Sequence, residues 1–370
     1  IYQQHTTSKL QIVQELQMGL STVSQNLTLL EQEGYIQRNG YFDSTGGRKA
    51  QTIQIVPDFR ISIGIGILKE MFHMTAIDLY GHVLDMETIS LSYADTDAYY
   101  KQMTEKIQAF ITSHHYDPQK ILGISIATQG ITSSDHTTVT YGKILHNTGM
   151  NVDHFSSRLP FACHLEHDSK SAAHLELWNH PELDSAIVIL LNRNLGGAII
   201  TDRHIHQGST MHSGTLEHMC VNPDGPLCYC GNRGCLETYV SATGIKRTVF
   251  ELMARETVPS VLRDVPYDKF DARIITEAAQ KGDSLALEVF RCTAERLGRA
   301  LANAVAITSP EAVFFFGGLA QAGELLLEPT RRYLEENLLP VYRGNVKVLP
   351  SGIPAQNAAI LGASALIWNE

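Results

Sequence analysis

His218 and the run Cys228-Tyr-Cys-Gly-Asn-Arg-Gly-Cys235-Leu-Glu237 decide how this chain is read. Three of its 6 cysteines fall in that run, and an imidazole stands a short way upstream. Three thiolates and an imidazole suit a closed tetrahedral zinc site, which takes four ligands and leaves no open position. Gly231 and Gly234 let the backbone turn tightly enough for all three sulfurs to face one point. Unrelated buried thiols are the alternative, but Cys-x-Cys-x4-Cys with glycines between is a poor core pattern. The predicted ligands are His218, Cys228, Cys230 and Cys235, and the predicted cofactor is structural zinc.

The surroundings bound the class of protein. A chain of 370 residues is too long for one ordinary domain, and two or three are expected. A net charge of −10 excludes a general polyanion binder. There is no apolar run of about eighteen residues and no basic-then-apolar signal pattern, so a cytoplasmic protein without a membrane partner is expected. Few cysteines, half of them clustered, fit a reduced compartment with metal binding better than a disulfide scaffold. Cys163, Cys220 and Cys292 are isolated and read as core residues; Trp178 and Trp368 read as packing at helix ends. The chain opens at Ile1 without Met, and its first domain is expected to be truncated there.

Residues 1–56 differ from the rest, being rich in Gln, Ser, Thr and Asn. Thr7-Ser8 can cap a helix carrying Leu10, Val13 and Leu16, with Ile12 beside them. Met18-Gly19-Leu20 breaks it. A second helix starts near Ser21 with Val23, Leu27 and Leu30 on one face, and Gly34 ends it. Its other face carries Ser21, Thr22, Ser24, Gln25 and Asn26. Strands at 35–37 and 52–55 flank a loop containing Ser44-Thr-Gly-Gly-Arg48-Lys49. This order predicts a winged helix-turn-helix DNA-binding domain, in which a helix enters the major groove and short polar side chains reach base edges and phosphates. Arg48 and Lys49 would lie against the backbone or enter the minor groove. Lys9, Arg38, Arg48 and Lys49 balance Glu15, Glu31, Glu33 and Asp43, so one neutral module binds weakly and two half-sites are needed.

Beyond residue 57 the pattern is α/β. Strands are predicted at 61–67, 74–79 and 83–84, a helix at 97–114 and a buried strand at 121–127. A second unit begins with 186–191 and 198–200. Helices follow at 239–254, 271–279 and 283–308, then a strand at 312–316 and a last helix at 355–368. Strands followed by helices in two halves predict two similar lobes around a cleft, 57–182 and 183–370, with the C-terminal helix returning to the first lobe.

On the wing Ser44 to Lys49, Leu165-Glu-His-Asp168, Gly214 to His218, Cys228 to Glu237 and Phe316-Gly-Gly-Leu319, the chain resembles the ROK family (repressor, open reading frame, kinase), in its winged-helix repressor branch. The resemblance spans essentially the whole chain. It implies an α/β actin-like, sugar-kinase-type fold of two lobes behind the DNA-binding head, a homodimer or dimer of dimers, and zinc on the four ligands already named. It also implies an effector sugar site of Asp168, His218 and Glu237. Asp168 matches the carboxylate that serves kinase members as general base, and a carboxylate can equally accept a sugar hydroxyl. His218 would serve zinc through one ring nitrogen and the sugar through the other. His167 stands where the family has Asn, Thr215 where it has Glu and Glu217 where it has Gly, which implies an altered pocket.

The phosphate-handling half departs further. Family kinases open with Asp-x-Gly-Gly-Thr; here Ile65-Gly-Ile-Leu-Lys69 puts Gly66 at the Asp and Leu68 at a glycine. Asn192 to Gly197 keeps only part of a second glycine pattern. Without the metal-holding carboxylate a main device for neutralising phosphoryl charge is lost, typically ~10²–10³ in rate. The expectation is therefore a non-enzyme: a sugar-responsive repressor of carbohydrate-metabolism genes that binds operator DNA. A carbohydrate kinase with an accessory DNA-binding head is the runner-up, and a regulator answering to a partner protein the third reading.

Overall fold

The computed structural model describes residues 1–43, 49–255, 257–353 and 357–369. At the N-terminus, α1 (Lys9–Leu16) and α2 (Leu20–Gln32) precede a hairpin of β1 (Ile36–Tyr41) and β2 (Gln51–Ile55). Ser8 starts α1 with a capping box: its hydroxyl accepts from the Gln11 amide at 3.3 Å, and the Gln11 side chain accepts from the Ser8 amide at 2.8 Å. Gly34, at φ 78°, turns the chain into β1. The small core holds Val23, Leu27, Ile36 and Ile53, with Ile12, Val13 and Leu30 against it. Leu10 and Leu16, expected on the buried face of α1, are 59% and 61% exposed. The core is reached through Ile12 and Val13, which leaves the Leu10–Leu16 edge outside.

The next unit contains β3 (Ile61–Ile67), β4 (Phe72–Ile77), β5 (Val83–Ile89), α3 (Asp97–Ser113) and β6 (Ile121–Thr128). The small β7 (Ile131–Thr132) and β8 (Val139–Tyr141) pair follows, then α4 (Asp153–Ser156), β9 (Cys163–His167) and α5 (Asp168–Asn179). The strands order as β5-β4-β3-β6-β9, antiparallel on the β4 side and parallel from β3 to β9. A parallel neighbour needs a long crossover, which α3 supplies between β5 and β6.

The last unit repeats this plan with β10 (Ala186–Leu191), β11 (Leu195–Thr201), β12 (His204–Ile205), α6 (Glu237–Val240), α7 (Ala242–Arg255), α8 (Ala272–Gln280) and α9 (Ser284–Thr308). It ends with β13 (Ala312–Phe316), α10 (Glu324–Asn337), β14 (Lys347–Pro350) and α11 (Ala358–Asn369). Its sheet, β12-β11-β10-β13-β14, has the same order and the same mixture of directions as the first. The single helix expected at 239–254 is two, because Ser241 is extended and breaks the register between α6 and α7.

The two sheets are joined by exchanged helices. α5 follows the first sheet but packs on the second, where Ala172 and Ala173 meet Ala186, Val188 and Ala198. α11 follows the second sheet and packs on the first. Its Ile360 and Ser364 sit over Gly64, where an added Cβ would lie 2.1 Å from the Ile360 carbonyl oxygen. α5 and α11 cross at Gly362, whose Cβ would fall 1.7 Å from the Ser171 carbonyl oxygen. Small residues at these points let backbones touch. No helix among the described residues is long and apolar enough to cross a membrane.

Candidate functional site

The metal-type cluster forms because one loop folds back on itself. Gly231 and Gly234 have φ 95° and 69°, and a Cβ at 234 would lie 1.5 Å from the Asn222 carbonyl oxygen, so only glycine fits. The Cys228 amide donates to the Asn232 carbonyl at 2.8 Å and closes the turn. His218 Nδ1 then stands 3.7 Å from Cys228 Sγ, and Cys230 Sγ stands 3.7 Å from Cys235 Sγ. All four ligand atoms lie within 4.8 Å of one another. A tetrahedron with metal–sulfur bonds of about 2.3 Å has edges of about 3.8 Å, so the donor set fits such an ion. Burial pushes the Cys228 and Cys235 thiols up, Cys235 to about 12, so a cation is what would hold them as thiolates. Cys220, expected in the core, is exposed: it lies on the outer edge of the loop, bridged through its backbone to Cys235.

Tyr229, between two of the cysteines, carries the cluster to a cleft. Its ring meets His218 edge-on with centroids 5.2 Å apart. The cleft, of about 820 Å³, runs between the lobes and is lined by Gly66, Lys69 and Asp168 from one side and by Asn192, Asn194 and Gly318 from the other. A cavity of about 30 Å³ at its inner end is bounded by His167, Asp168, Asn194, Glu217 and Tyr229.

Asp168 is there because β9 ends at His167 and α5 starts with Asp168. Its Oδ1 accepts from the Ser169 amide at 2.8 Å and lies 3.5 Å from His167 Nε2. The Ser169 hydroxyl donates to the Gly197 carbonyl at 3.0 Å and sits 2.7 Å from His167 Nδ1. With that hydroxyl proton committed, Nδ1 carries the imidazole proton and donates to Ser169, leaving Nε2 as an acceptor beside Asp168. Burial pushes Asp168 up against the pull of His167, and pushes His167 down, so the imidazole is held neutral. Carboxylate and imidazole then turn two acceptors toward one spot, as a hydroxyl-rich ligand requires. Behind them Glu166 is fully buried; burial opposes its ionisation, but His174 and His136 outweigh that and hold it below the usual range.

The remaining expected ligand contacts lie one layer back. Glu237 is buried with both oxygens engaged, one accepting from Asn194 Nδ2 at 3.0 Å and the other from the Leu195 amide at 2.7 Å. It therefore positions the β10–β11 turn that lines the cleft. The Thr215 hydroxyl donates to the His212 carbonyl at 3.2 Å, and His218 turns Nδ1 to the cysteines. Glu217 lines the inner cavity instead, 5% exposed, with Oε2 unpartnered among the described residues. Burial, with the charges of Glu237 and Asp168, pushes its carboxyl up to about 8. The departure from the family pattern at 217 was visible in the sequence; its place beside Asp168 was not. Asn192 and Asn194 stood in the sequence only as part of an incomplete glycine pattern, and Tyr229 only as a spacer in the cysteine run; all three line the cleft. Lys170 donates to Gln207 Oε1 at 2.6 Å and the Met211 carbonyl at 2.7 Å, tying the approach to Thr215 onto α5.

On the head, Ser21, Thr22, Gln25 and Asn26 are exposed along α2 and Ser24 is half-buried. Lys49 is exposed; Arg48 and the wing residues 44–47 lie outside the described residues.

Residues 60–370 match the ROK family. The chain belongs to the ROK family. It is 28% identical over 366 residues to the DNA-binding transcriptional dual regulator NagC of Escherichia coli K12, covering 97% of this chain and 88% of that protein. Among solved structures it resembles a ROK family transcriptional regulator described as a homolog of the E. coli MLC protein, with TM-score 0.81 and 23% identity over 98% of this chain and 91% of that one. It also resembles a ROK family glucokinase from Streptomyces griseus in complex with glucose and AMPPNP, with TM-score 0.72 and 26% identity over 84% of this chain and all of the kinase. The two-lobed ROK sugar-kinase fold expected from the sequence is thus the fold of this chain.

Proposed function

We propose that this protein is a DNA-binding transcriptional repressor answering to a sugar or sugar derivative. The observation that carries the reading is extent. Likeness to the ROK regulator spans 98% of the chain, whereas likeness to the glucokinase spans 84%. The N-terminal α1-α2-β1-β2 unit supplies a polar helix face suited to a major groove. In this reading residues 1–56 are a winged helix-turn-helix, 57–182 and 183–370 are the two lobes, and the cytoplasmic protein works as a homodimer or dimer of dimers. Ser21, Thr22, Ser24, Gln25, Asn26, Arg48 and Lys49 face operator DNA. His218, Cys228, Cys230 and Cys235 hold one structural zinc, which would keep the Tyr229 loop rigid at the mouth of the cleft. The sugar's hydroxyls bind Asp168 and His167, with Glu237, Thr215 and His218 setting the walls around them.

Ligand binding must favour one lobe arrangement to weaken DNA binding, and a coupling of about 1–3 kcal/mol is enough. Phosphoryl transfer is not expected. Position 66 carries glycine and so no metal-holding carboxylate, and a Cβ there would lie 2.4 Å from Ile360 Cγ2, so the packing is fitted to the glycine. The kinase reading keeps one support, the half-buried Asp168 lining a cleft large enough for two substrates. The test is a mobility-shift titration with DNA from upstream of the protein's own gene, with and without sugars, alongside an ATPase assay with magnesium. Retardation relieved by a sugar is expected. Failure to retard any fragment overturns the repressor reading, and sugar-dependent ATP turnover overturns the non-enzyme reading.

A further inference from the structure

The ligand cleft and the head are joined by a line of aromatic rings. Asp168 opens α5 and Trp178 lies in its last turn. The Trp178 ring meets Trp368, near the end of α11, edge-on with centroids 6.4 Å apart at 74°. Trp368 meets Phe59 at 6.3 Å and 70°, and Phe59 meets Tyr35 at 5.1 Å and 87°. Tyr35 is fixed within the head: its amide donates to the Leu30 carbonyl at the end of α2, and its carbonyl accepts from Val56 after β2, both at 2.9 Å. A second contact converges on the same indole. Tyr2 stacks on Tyr80 with centroids 5.2 Å apart and planes 3° apart, and a Cβ on the adjacent Gly81 would lie 3.3 Å from Trp178 Nε1.

Between site and rings lies a stiff connector. The 12 residues of α5 are clamped by the second sheet on one side and by α11 at Gly362 on the other. Close-packed helices shift as bodies and do not bend smoothly, so displacement at Asp168 reappears at Trp178. Trp368 is suited to re-seating: its Nε1 is buried with no hydrogen-bond partner among the described residues, so apolar and ring packing, without a polar anchor, sets its place. Edge-to-face contacts favour discrete ring arrangements, which gives the line alternative seats.

We propose that Trp178, Trp368 and Phe59 are positioning residues that couple occupancy of the cleft to the placement of the DNA-binding head. The proposal rests on the sugar-responsive repressor reading. The chain's 2 tryptophans are Trp178 and Trp368, so emission excited selectively at tryptophan over the 14 tyrosines reports the surroundings of these two rings.

The experiment uses the full-length protein, upstream DNA, and glucose, xylose and N-acetylglucosamine with and without a phosphate ester. Tryptophan emission is recorded during each sugar titration, and DNA affinity is measured with and without saturating sugar. Wild type is expected to change emission on binding and to lose roughly 5- to 150-fold in DNA affinity. Phe59→Leu is expected to bring that ratio close to one while sugar affinity and sugar-free DNA affinity stay within about threefold of wild type. Trp178→Phe, which keeps a ring, is expected to retain most of the ratio. If Phe59→Leu proves unfolded by circular dichroism, Tyr35→Leu is measured in its place. An undiminished ratio in the folded leucine variant, or emission unchanged at saturation, overturns the proposal and leaves the repressor reading standing. If no sugar alters DNA binding by wild type, the sugar-responsive reading fails and the proposal falls with it.

Discussion

Replacing Gly362 by Ala tests the crossing of α5 and α11, on which the geometry of the cleft depends. A Cβ at 362 would lie 1.7 Å from the Ser171 carbonyl oxygen and 2.3 Å from its carbon. Both are backbone atoms within a helix, so no side chain can swing aside. To reach 3.0 Å, below which real contacts essentially do not occur, the helices must part by about 1.3 Å. Overpacking of this kind costs about 1–3 kcal/mol, and a backbone clash belongs at the upper end. Ala is also the better helix former by about 1 kcal/mol. The clash wins, and a net loss of about 2 kcal/mol is expected. At roughly 2–4 °C per kcal/mol for a unit of this size, Tm falls by roughly 4–8 °C. The control is Gly352→Ala, where nothing among the described residues lies within 4 Å of the added Cβ, and which should stay within about 0.5 kcal/mol of wild type. Thermal unfolding followed by circular dichroism checks both. A Gly362→Ala protein as stable as wild type, or more so, would refute the close crossing.

Two further predictions concern the metal cluster and the longest helix. Purified protein is expected to carry one zinc per chain by elemental analysis, and Cys235→Ser to lose it with a fall in stability of several kcal/mol; a metal-free wild type of full thermal stability contradicts the cluster's role. Asp283 caps α9, accepting from the Ala286 amide at 3.0 Å, the Val261 amide at 2.9 Å and the Ser260 hydroxyl at 2.9 Å. Partial burial opposes its ionisation, but these donors outweigh that and hold the carboxyl below its usual range. The contribution is therefore present above the unfolded value of about 3.9 and is lost as pH falls through the lower folded value. Asp283→Ala should cost about 1 kcal/mol at neutral pH and progressively less below about pH 4 in denaturant titrations; a pH-independent cost contradicts the assignment.

What the sequence disclosed was what local pattern encodes. The strands β3, β10 and β13 are buried at every position; β10 and β13 read as unbroken apolar runs, and β3 as isoleucines alternating with Ser62, Gly64 and Gly66. The cysteine loop was legible because its ligands are near neighbours in the chain. α5, the helix that carries Asp168, was not predicted, for a physical reason: Ser169, Lys170, Ser171 and Glu176 are buried along with its apolar residues, which erases the helical stripe. Their partners, such as Gln207 and Met211 for Lys170, come from distant segments that no local pattern names. α10 was missed as well, with Pro329 inside it. The same limit applied to the site. Asp168 was found by motif, but the approach of Glu217 to it follows from the way the second sheet presents the Gly214–His218 turn to α5.

The departures from the kinase pattern and the proposed coupling meet on one helix. α11 lies over β3 with Ile360 in the space a side chain at Gly66 would occupy, and Ala359 and Ile360 line the cleft. The other end of the same helix holds Trp368 against Phe59. A carboxylate at position 66 would require the Ile360 side chain to move, since its Cγ2 lies 2.4 Å from where the Cβ would stand. The present seat of the Ile360 methyl and a side chain at position 66 therefore compete for the same space. In a kinase the loss would be a defect, because developing phosphoryl charge needs the metal. In a regulator that need is absent: α11 lines the cleft at one end, meets Phe59 at the other, and packs directly on the central strand, and Phe59 in turn packs on Tyr35 of the N-terminal unit, so a change in the cleft has a well-packed route toward that unit.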